Sequence, residues 1–482
     1  MSDEVDSVSR RASRAFGWSF GNTVAARLGT LAIGIALARV LGPDEFGIFA
    51  VATVTLLAVL SFNELGVSLA VIRWRDDPAT IAPTINTIAV ASSAALTVLM
   101  IVLAPVLSSA LGDAAATPVV QVLAVSVLIN GLVATPAAIL QREFLQKERT
   151  IADQVNTWLG AGLSLLFALL GWGAMSLAIG RLIASLVFSL LIWRWSPVPY
   201  RFGWDREVAG RLLRFGLPLA VSSIIVFVSA YADQMIVGSM LGAQALGFYV
   251  LAFNLASWPV SIFSQPLRAV APATFSAIKH DPDRMSRTYA RILALLLSVA
   301  VPACLAISGA ADPVIGLVYG SAWAASAPIL LWLAIFAAFK IGFELAYDYL
   351  VVLGRSGWIL VTQSVALLVG LPAMLLAVPS FGAPGVAAAQ AIVAAVVIMP
   401  LYALQLHRSG VRLPDLARAA FWSAFAGVVV WFACRLVSGA IEPDLAACLA
   451  SAAISIVAIG GLVFFRRDSV RQFRAAMAGG PR

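Results

Sequence analysis

The stretch ARVLGPDEFGIFAVA (residues 38–52) recurs two hundred positions later as GSMLGAQALGFYVLA (residues 238–252). A Leu-Gly pair, a second glycine, an aromatic residue and an alanine occupy matching positions in both stretches. Other matches follow in the same order at offsets between 199 and 204: Phe16-Gly17 corresponds to Phe215-Gly216, and Asp77-Pro78 to Asp281-Pro282. Several matches in one order indicate that the chain contains a duplicated structural unit.

The composition around this repeat is that of a membrane protein. Of the 482 residues, 61% are hydrophobic and 12% are charged, whereas soluble domains carry about 25% charged residues. The net charge of +8 comes from basic residues that stand singly between apolar runs, so it indicates membrane topology and no nucleic-acid partner. We therefore expect an all-α integral membrane protein.

Breaking the chain at charge clusters and Gly/Pro turns predicts about fourteen transmembrane helices, because about 20 apolar residues span a bilayer. The predicted spans are 15–40, 46–72, 82–110, 117–141, 151–171, 173–194, 211–238, 245–271, 288–311, 324–353, 357–380, 383–406, 416–439 and 444–465. The interval 311–323 is the least regular, and we leave it open as a loop or a half-buried turn.

The distribution of basic residues predicts the orientation. With the N-terminus inside, 27 of the 32 lysines and arginines lie on one side, against only Arg39 and Arg435 on the other. Basic residues concentrate on the cytoplasmic side. Both termini are therefore predicted to be cytoplasmic, in a multi-pass protein of the bacterial plasma (inner) membrane.

The repeat offset covers an even number of spans, so both halves enter the membrane in the same direction. The predicted organisation is a cytoplasmic tail, two parallel six-helix lobes joined by a cytoplasmic linker, a final helix pair and a second cytoplasmic tail. The corresponding residues are 1–14, 15–195, 196–210, 211–408, 414–466 and 467–482. Parallel repeats about an axis along the membrane normal place a substrate path between the halves of transporters.

Three basic residues fall inside predicted spans: Arg27, Arg181 and Lys340. Ionisable side chains at the bilayer centre face a partner or a wet cavity, and arginine and lysine suit phosphate groups. We predict that they bind an anionic head group, with Asn22 and Asn254 as polar contacts to cargo. The alternative is that each pairs with a nearby acid or carbonyl and holds helices together.

Acidic residues inside or near spans are candidates for ion coupling. Glu344 and Asp348 share one face with Lys340, at spacings of four and eight residues, and Asp233 and Glu64 are further candidates. Any of these carboxyl groups that is desolvated could bind a proton or sodium ion. The alternatives are a structural ion pair between Lys340 and Glu344, and hydration of Asp233 and Glu64 near an interface.

Enzymatic chemistry has no evident location. No loop is long enough for a catalytic domain, and no HExxH, GxSxG or phosphate-binding glycine loop is present. The three cysteines show no CxxC pairing. We therefore expect a non-enzymatic protein without cofactor or metal.

In the segment KHDPDRMSRTYARI, Arg284, Arg287 and Arg291 suggest either a helix end on anionic lipid or a solvated linker.

Several segments together resemble one family. They are LARVLGPDEFGIFAVA, ELGVSLAVIR, LQREF and ADQMIVGSMLGAQALGFYVLAFNLASWPVSIFSQPLRAVAPATFSAI. From about residue 12 to 410 the chain resembles bacterial Wzx-type polysaccharide exporters of the multidrug/oligosaccharidyl-lipid/polysaccharide (MOP) superfamily. One departure is the sequence Gly238-Ser239-Met240, where a basic residue is expected before the second Leu-Gly pair.

The resemblance implies two six-helix lobes around a central cavity, with the last two helices packed outside. It also implies a flippase that moves undecaprenyl-pyrophosphate-linked oligosaccharide from the cytoplasmic to the outer leaflet by alternating access. Membrane lipids are implied as partners, and the polysaccharide polymerase machinery is a further candidate partner.

Two alternatives remain at this stage. One keeps the fold and changes the cargo to a peptidoglycan lipid precursor or a drug or cation, although a cavity for organic cations should favour acids over the three bases. The other is a membrane-embedded glycosyltransferase or polymerase, which the short predicted outer loops disfavour.

Overall fold

The computed structural model describes the backbone of residues 2–63, 70–72, 74 and 77–467, together with the side chains of most residues from 32 onward. Within these ranges the chain is helical and contains no strand. Eleven helical segments are long and apolar enough to span a membrane. The prediction of an all-α integral membrane protein is confirmed, and the number of fourteen spans stays a prediction.

The chain divides into two compact units, Met1–Phe227 and Val228–Arg482. The first unit contains α1 (Ser2–Asn63), α2 (Pro78–Ala110), α3 (Thr117–Arg142), α4 (Gln146–Leu169), α5 (Met175–Trp195) and the start of α6 (Arg206–Leu241). Helix α4 is not among the eleven apolar segments, because Asp153, Gln154 and Asn156 lower its hydropathy.

The second unit begins within α6. It continues with α7 (Ala243–Ala256), a π-helical turn (Val260–Ser264), α8 (Gln265–Ala277), α9 (Pro282–Gly309), α10 (Ala311–Tyr319), a 3-10 turn (Ser321–Ser326) and α11 (Ala327–Val352). It ends with α12 (Ser356–Val393), a π-helical turn (Ala394–Ile398), α13 (Met399–Arg408), α14 (Leu413–Ala440) and α15 (Asp444–Phe465). The interval left open at 311–323 is therefore mostly helical.

The two Leu-Gly pairs share a backbone conformation as well as a sequence. Gly42 has φ 74° and ψ 177° and interrupts α1, and Gly242 has φ 87° and ψ 175° directly before α7. This region of backbone space is essentially restricted to glycine. The same torsion therefore makes the same helix-to-helix turn near the start of each repeat.

Glu45, next to the first of these turns, stabilises a different helix from the one expected. The acidic pair Asp44-Glu45 suits the N-terminus of the helix that follows it in sequence. In the structure a Glu45 carboxylate oxygen accepts a hydrogen bond of 2.6 Å from the backbone N–H of Ala174, at the start of α5. The first turn is thus tied to the α4–α5 turn within the first unit.

The segment between α5 and α6 is held against α2. Asn86 donates to the carbonyl of Arg201 at 3.0 Å, Thr87 donates to the carbonyl of Gly203 at 2.8 Å, and the N–H of Asp205 donates to Thr84 at 2.9 Å. Helix α6 begins at Arg206, inside the predicted linker 196–210. Most of that predicted linker is therefore an ordered connection to the first unit.

Aromatic packing sets the rotation of α11 in the second unit. The ring of Tyr349 packs against Phe275 of α8 and Tyr289 of α9, with centroid distances of 5.3 and 4.7 Å. All three residues are fully buried. This contact fixes the direction of the neighbouring polar face of α11.

Candidate functional site

The polar face of α11 carries Lys340, Glu344, Tyr347 and Asp348, as the spacing predicted. The helix is otherwise apolar and uninterrupted from Ala327 to Val352. Positions four, seven and eight residues apart lie on one side of a helix. The face is therefore a continuous polar strip in a membrane-spanning segment.

Asp348 forms a two-point ion pair with Arg268 of α8. Nε of Arg268 lies 3.0 Å from one carboxylate oxygen, and Nη2 lies 3.2 Å from the other. The carboxylate side chain is 8% exposed and the arginine side chain 39%, and the guanidinium also lies 5.9 Å from the centre of the Tyr347 ring. Arg268 therefore neutralises the buried carboxylate of Asp348 while part of its own side chain stays exposed.

One turn earlier on both helices, the hydroxyl of Ser264 donates to the carboxylate of Glu344. Ser264 and Arg268 are four residues apart, as are Glu344 and Asp348, so two matched pairs join α11 to the segment that enters α8. Lys340 and Glu344, both within the described part of the chain, do not form the ion pair that was the structural alternative.

Lys340 is half-buried on the same face. Among the residues that the structure describes, no carboxylate pairs with its ammonium group and no hydrogen bond fixes it. A lysine in a membrane span without a counter-charge is costly unless it reaches water or an anion. This side chain is therefore available to an anionic group.

Asp233 lies in a second, separate environment near the end of α6. Its side chain is 3% exposed and accepts 2.9 Å hydrogen bonds from the hydroxyl of Tyr249 and the backbone N–H of Gln234. The side chain of Gln390 is a further hydrogen-bonding neighbour, and its Oε1 finds no donor within the described ranges. No salt bridge to Asp233 occurs there either.

Ionisation of Asp233 is costly in this environment, because only neutral donors face its carboxylate among the described residues. A buried ionised carboxylate without a counter-charge costs several kcal/mol or more. A bound proton would remove that cost. The geometry of Asp233 is thus chemically distinct from that of Asp348.

The other predicted site residues are not brought into these clusters. Arg181 on α5 and Asn254 on α7 have exposed side chains. The side chains of Arg27, Asn22 and Glu64 lie outside the described residues. Their assignment to the cargo or to ion coupling stays a prediction.

Three contributing residues were not predicted from the sequence. These residues are Arg268, Ser264 and Tyr249, none of which lies on a helix face that the sequence predicted. A usable signal was the shared four-residue spacing of Ser264/Arg268 and Glu344/Asp348. No group of three His, Cys, Asp or Glu side chains in the described ranges is placed to hold a metal ion.

The helices, the buried charges and the repeated turn together define a multi-pass helical membrane protein. The profile of the family described as polysaccharide biosynthesis protein matches residues 36–328. The chain belongs to this family. The match confirms the resemblance stated from the sequence segments.

Two proteins of polysaccharide biosynthesis are similar in sequence over much of the chain. The succinoglycan biosynthesis transport protein ExoT of Rhizobium meliloti (strain 1021) is 24% identical over 67% of this chain and 65% of its own length. The lipopolysaccharide biosynthesis protein WzxC of Escherichia coli (strain K12) is 22% identical over 62% of this chain and 61% of its own length. The matches thus span less than two thirds of either relative.

Solved structures identify the fold. The lipid II flippase MurJ in an inward closed conformation superposes with a TM-score of 0.76 at 13% identity, covering 93% of this chain and all of that chain. An inward-facing MATE transporter of the MOP superfamily gives 0.62 at 17% identity, covering 79% and 95%. The chain therefore has the fold of MOP superfamily transporters.

Proposed function

We propose that the protein is a flippase for undecaprenyl-pyrophosphate-linked oligosaccharide in the export of cell-surface polysaccharide. It carries the cargo from the cytoplasmic to the outer leaflet of the bacterial plasma membrane and performs no covalent chemistry. Membership in the polysaccharide biosynthesis protein family supports this function, as do the names of two relatives, one a succinoglycan transport protein and one a lipopolysaccharide biosynthesis protein.

The observation that carries the proposal is the pair of basic groups at the polar face of α11, namely Lys340 of α11 and Arg268 of α8. Lys340 has no counter-charge among the described residues, and Arg268 keeps 39% of its side chain exposed while it holds Asp348. A pyrophosphate group carries several acceptor oxygens, which suit an ammonium group and a guanidinium fork. We assign these two residues to the pyrophosphate, with Arg27 and Arg181 as further candidates and Asn22 and Asn254 as contacts to sugar hydroxyls.

The proposed cycle is alternating access between two parallel lobes, residues 15–195 and 211–408, with the pair at 414–466 outside them. Both termini are cytoplasmic in the orientation that the 27 basic residues favour. Binding or release of a cation at Asp233 is the proposed coupling step, and Glu344, Asp348 and Glu64 are the other candidates. Membrane lipids surround the protein, and the polysaccharide polymerase machinery receives the cargo.

Gene deletion with analysis of lipid-linked sugars tests the cargo. The deleted strain should accumulate undecaprenyl-pyrophosphate-linked oligosaccharide on the cytoplasmic side and lose surface polysaccharide. Unchanged surface polysaccharide without accumulation would overturn the proposal. Accumulation of the peptidoglycan lipid precursor would point instead to the alternative cargo.

Complementation tests the residue assignment. Lys340→Gln should lower export by about tenfold or more, because a charge-assisted hydrogen bond contributes about 1.5–3 kcal/mol. The matched control is Lys279→Gln, which removes an exposed lysine between α8 and α9. Equal export by both variants at equal membrane levels would contradict a role for Lys340 in cargo binding.

A further inference from the structure

The second unit contains a basic cavity that is separate from the polar face of α11. It has a volume of about 500 Å³ and lies between the first turns of α9, the start of α14 and the end of α15. Its lining includes five arginines, namely Arg287, Arg291, Arg412, Arg418 and Arg466. Only two acidic residues, Asp283 and Asp415, line the same cavity.

Arg466 is built into the wall of this cavity. Its guanidinium donates to the carbonyl of Ala294, to the hydroxyl of Ser298 at 2.9 Å and to the carbonyl of Ala419 at 2.9 Å. These acceptors belong to α9 and α14, so the arginine joins three helices. Because all three acceptors are neutral, these contacts fix the guanidinium group in place without balancing its positive charge.

The other four arginines also form no ion pair with a carboxylate within the described ranges. No salt bridge to any of them occurs among the residues that the structure describes, although Asp283 and Asp415 are near. Arg287 and Arg291 are one helical turn apart, where like charges repel. The cavity therefore concentrates positive charge that an anion would neutralise.

One rim of the cavity is aromatic. Trp422 and Phe465 line it with a centroid distance of 6.3 Å, and Trp422 also packs against Phe421 at 5.4 Å and Phe425 at 6.4 Å. All four rings are about half exposed or more. Tryptophan with other aromatic residues at a charged helix end is typical of the membrane interface.

We propose that this cavity binds the headgroup of an anionic phospholipid, with its acyl chains along the aromatic rim. Guanidinium forks match phosphate oxygens, and basic cavities between transmembrane helices at the cytoplasmic side bind anionic headgroups. In the proposed orientation this end of the second unit faces the cytoplasm. A soluble phosphate would use the arginines but not the exposed rings, so the rim favours a lipid.

Native mass spectrometry of the purified full chain in nonionic detergent tests the lipid preference. With phosphatidylglycerol and phosphatidylcholine added in equal amounts, the protein should retain one phosphatidylglycerol preferentially. Arg287→Gln with Arg291→Gln should reduce that retention by about tenfold or more, since each basic residue contributes about 1 kcal/mol to anionic lipid binding. The absence of a preference in the unaltered protein would overturn the proposal.

A matched pair, Arg284→Gln with Arg408→Gln, removes the same charge from exposed positions outside the cavity and should leave retention within about twofold of the unaltered protein. Equal losses in both pairs would mean that diffuse surface charge attracts the lipid, which would overturn a site. A second cavity pair on the opposite wall, Arg412→Gln with Arg418→Gln, should reproduce the loss. If the variant with the first pair of substitutions fails to fold, as judged by gel filtration and thermal unfolding, the Arg412/Arg418 variant tests whether the cavity binds the lipid.

Inorganic phosphate distinguishes a lipid from a soluble ligand. Phosphate in excess should not displace the retained phosphatidylglycerol, and Trp422→Ala should lower lipid retention several-fold while the arginines remain. Displacement by phosphate, together with unchanged retention in Trp422→Ala, would overturn the lipid assignment in favour of a free anion. None of these measurements depends on the cargo, so their outcome is separate from that of the proposed flippase function.

Discussion

Asp348 and Asp233 are both buried in the second unit, at 7% and 3% exposure, but their partners differ in kind. Asp348 is held by the two-point ion pair with Arg268, whereas Asp233 receives hydrogen bonds from neutral donors. The charge of the first carboxylate is therefore balanced within the described chain. The second has neutral donors and no cation among the described residues, and its proposed coupling role rests on this contrast.

The largest loss of stability is expected from Arg268→Ala. It leaves the carboxylate of Asp348 buried without its cation and should lower the free energy of unfolding by about 2 kcal/mol, below the ~3–5 kcal/mol of fully buried pairs because Arg268 is partly exposed. Denaturant titration of the purified protein measures it. Adding Asp348→Asn should recover part of the loss. A double variant no more stable than Arg268→Ala would show that the ion pair is not what the arginine contributes.

Tyr249→Phe should lower the free energy of unfolding by less than Arg268→Ala does. It removes one hydrogen bond to Asp233 but leaves the backbone donor and Gln390, so the free energy of unfolding should fall by about 1–1.5 kcal/mol. The same titration gives the value. A loss as large as that of Arg268→Ala would mean that Tyr249 balances a permanent charge, which would erase the contrast between the two aspartates.

Asp233→Asn should change stability by less than about 1 kcal/mol. The amide keeps an oxygen acceptor for Tyr249 and removes a buried charge, while its NH2 group replaces the oxygen that accepts from the N–H of Gln234. Export should nevertheless fall strongly, because an amide cannot bind and release a proton. Preserved export in a cell assay, at wild-type membrane levels, would exclude Asp233 from coupling.

Lys340→Gln should change stability least, by no more than about 0.5 kcal/mol, because no ion pair within the described residues is lost. The variant should lower polysaccharide export in the complementation assay without lowering the stability of the protein. Thermal unfolding of Lys340→Gln beside Lys279→Gln measures the difference. A clear destabilisation specific to Lys340→Gln would assign the lysine a structural role.

The sequence predicted much of the fold because hydropathy and turn chemistry act locally. The final predicted span, 444–465, coincides with α15, and the two Leu-Gly turns were correctly matched. The number of spans stays a prediction: the predicted span 151–171 corresponds to α4, whose Asp153, Gln154 and Asn156 lower its hydropathy below that of the eleven apolar segments.

Of the cluster around Asp348, the sequence predicted only the residues on α11. The spacing of Lys340, Glu344 and Asp348 placed them on a common face, but periodicity within α11 carries no information about the opposing helix. Arg268 therefore looked like one more topological charge near a span end. Its pairing with Asp348 depends on how α8 packs on α11, which the aromatic contacts of Tyr349 determine.

The shared torsion angles of Gly42 and Gly242 bear on how the two halves descended from one ancestor. Of the fifteen positions in the two quoted stretches, few keep their residue, and an acidic pair in one is Gln244-Ala245 in the other. What both copies retain is a φ near 80° with an extended ψ. A duplication would have left side chains free to diverge wherever the backbone path did not depend on them. The two turns resemble each other more closely in backbone torsion than in sequence.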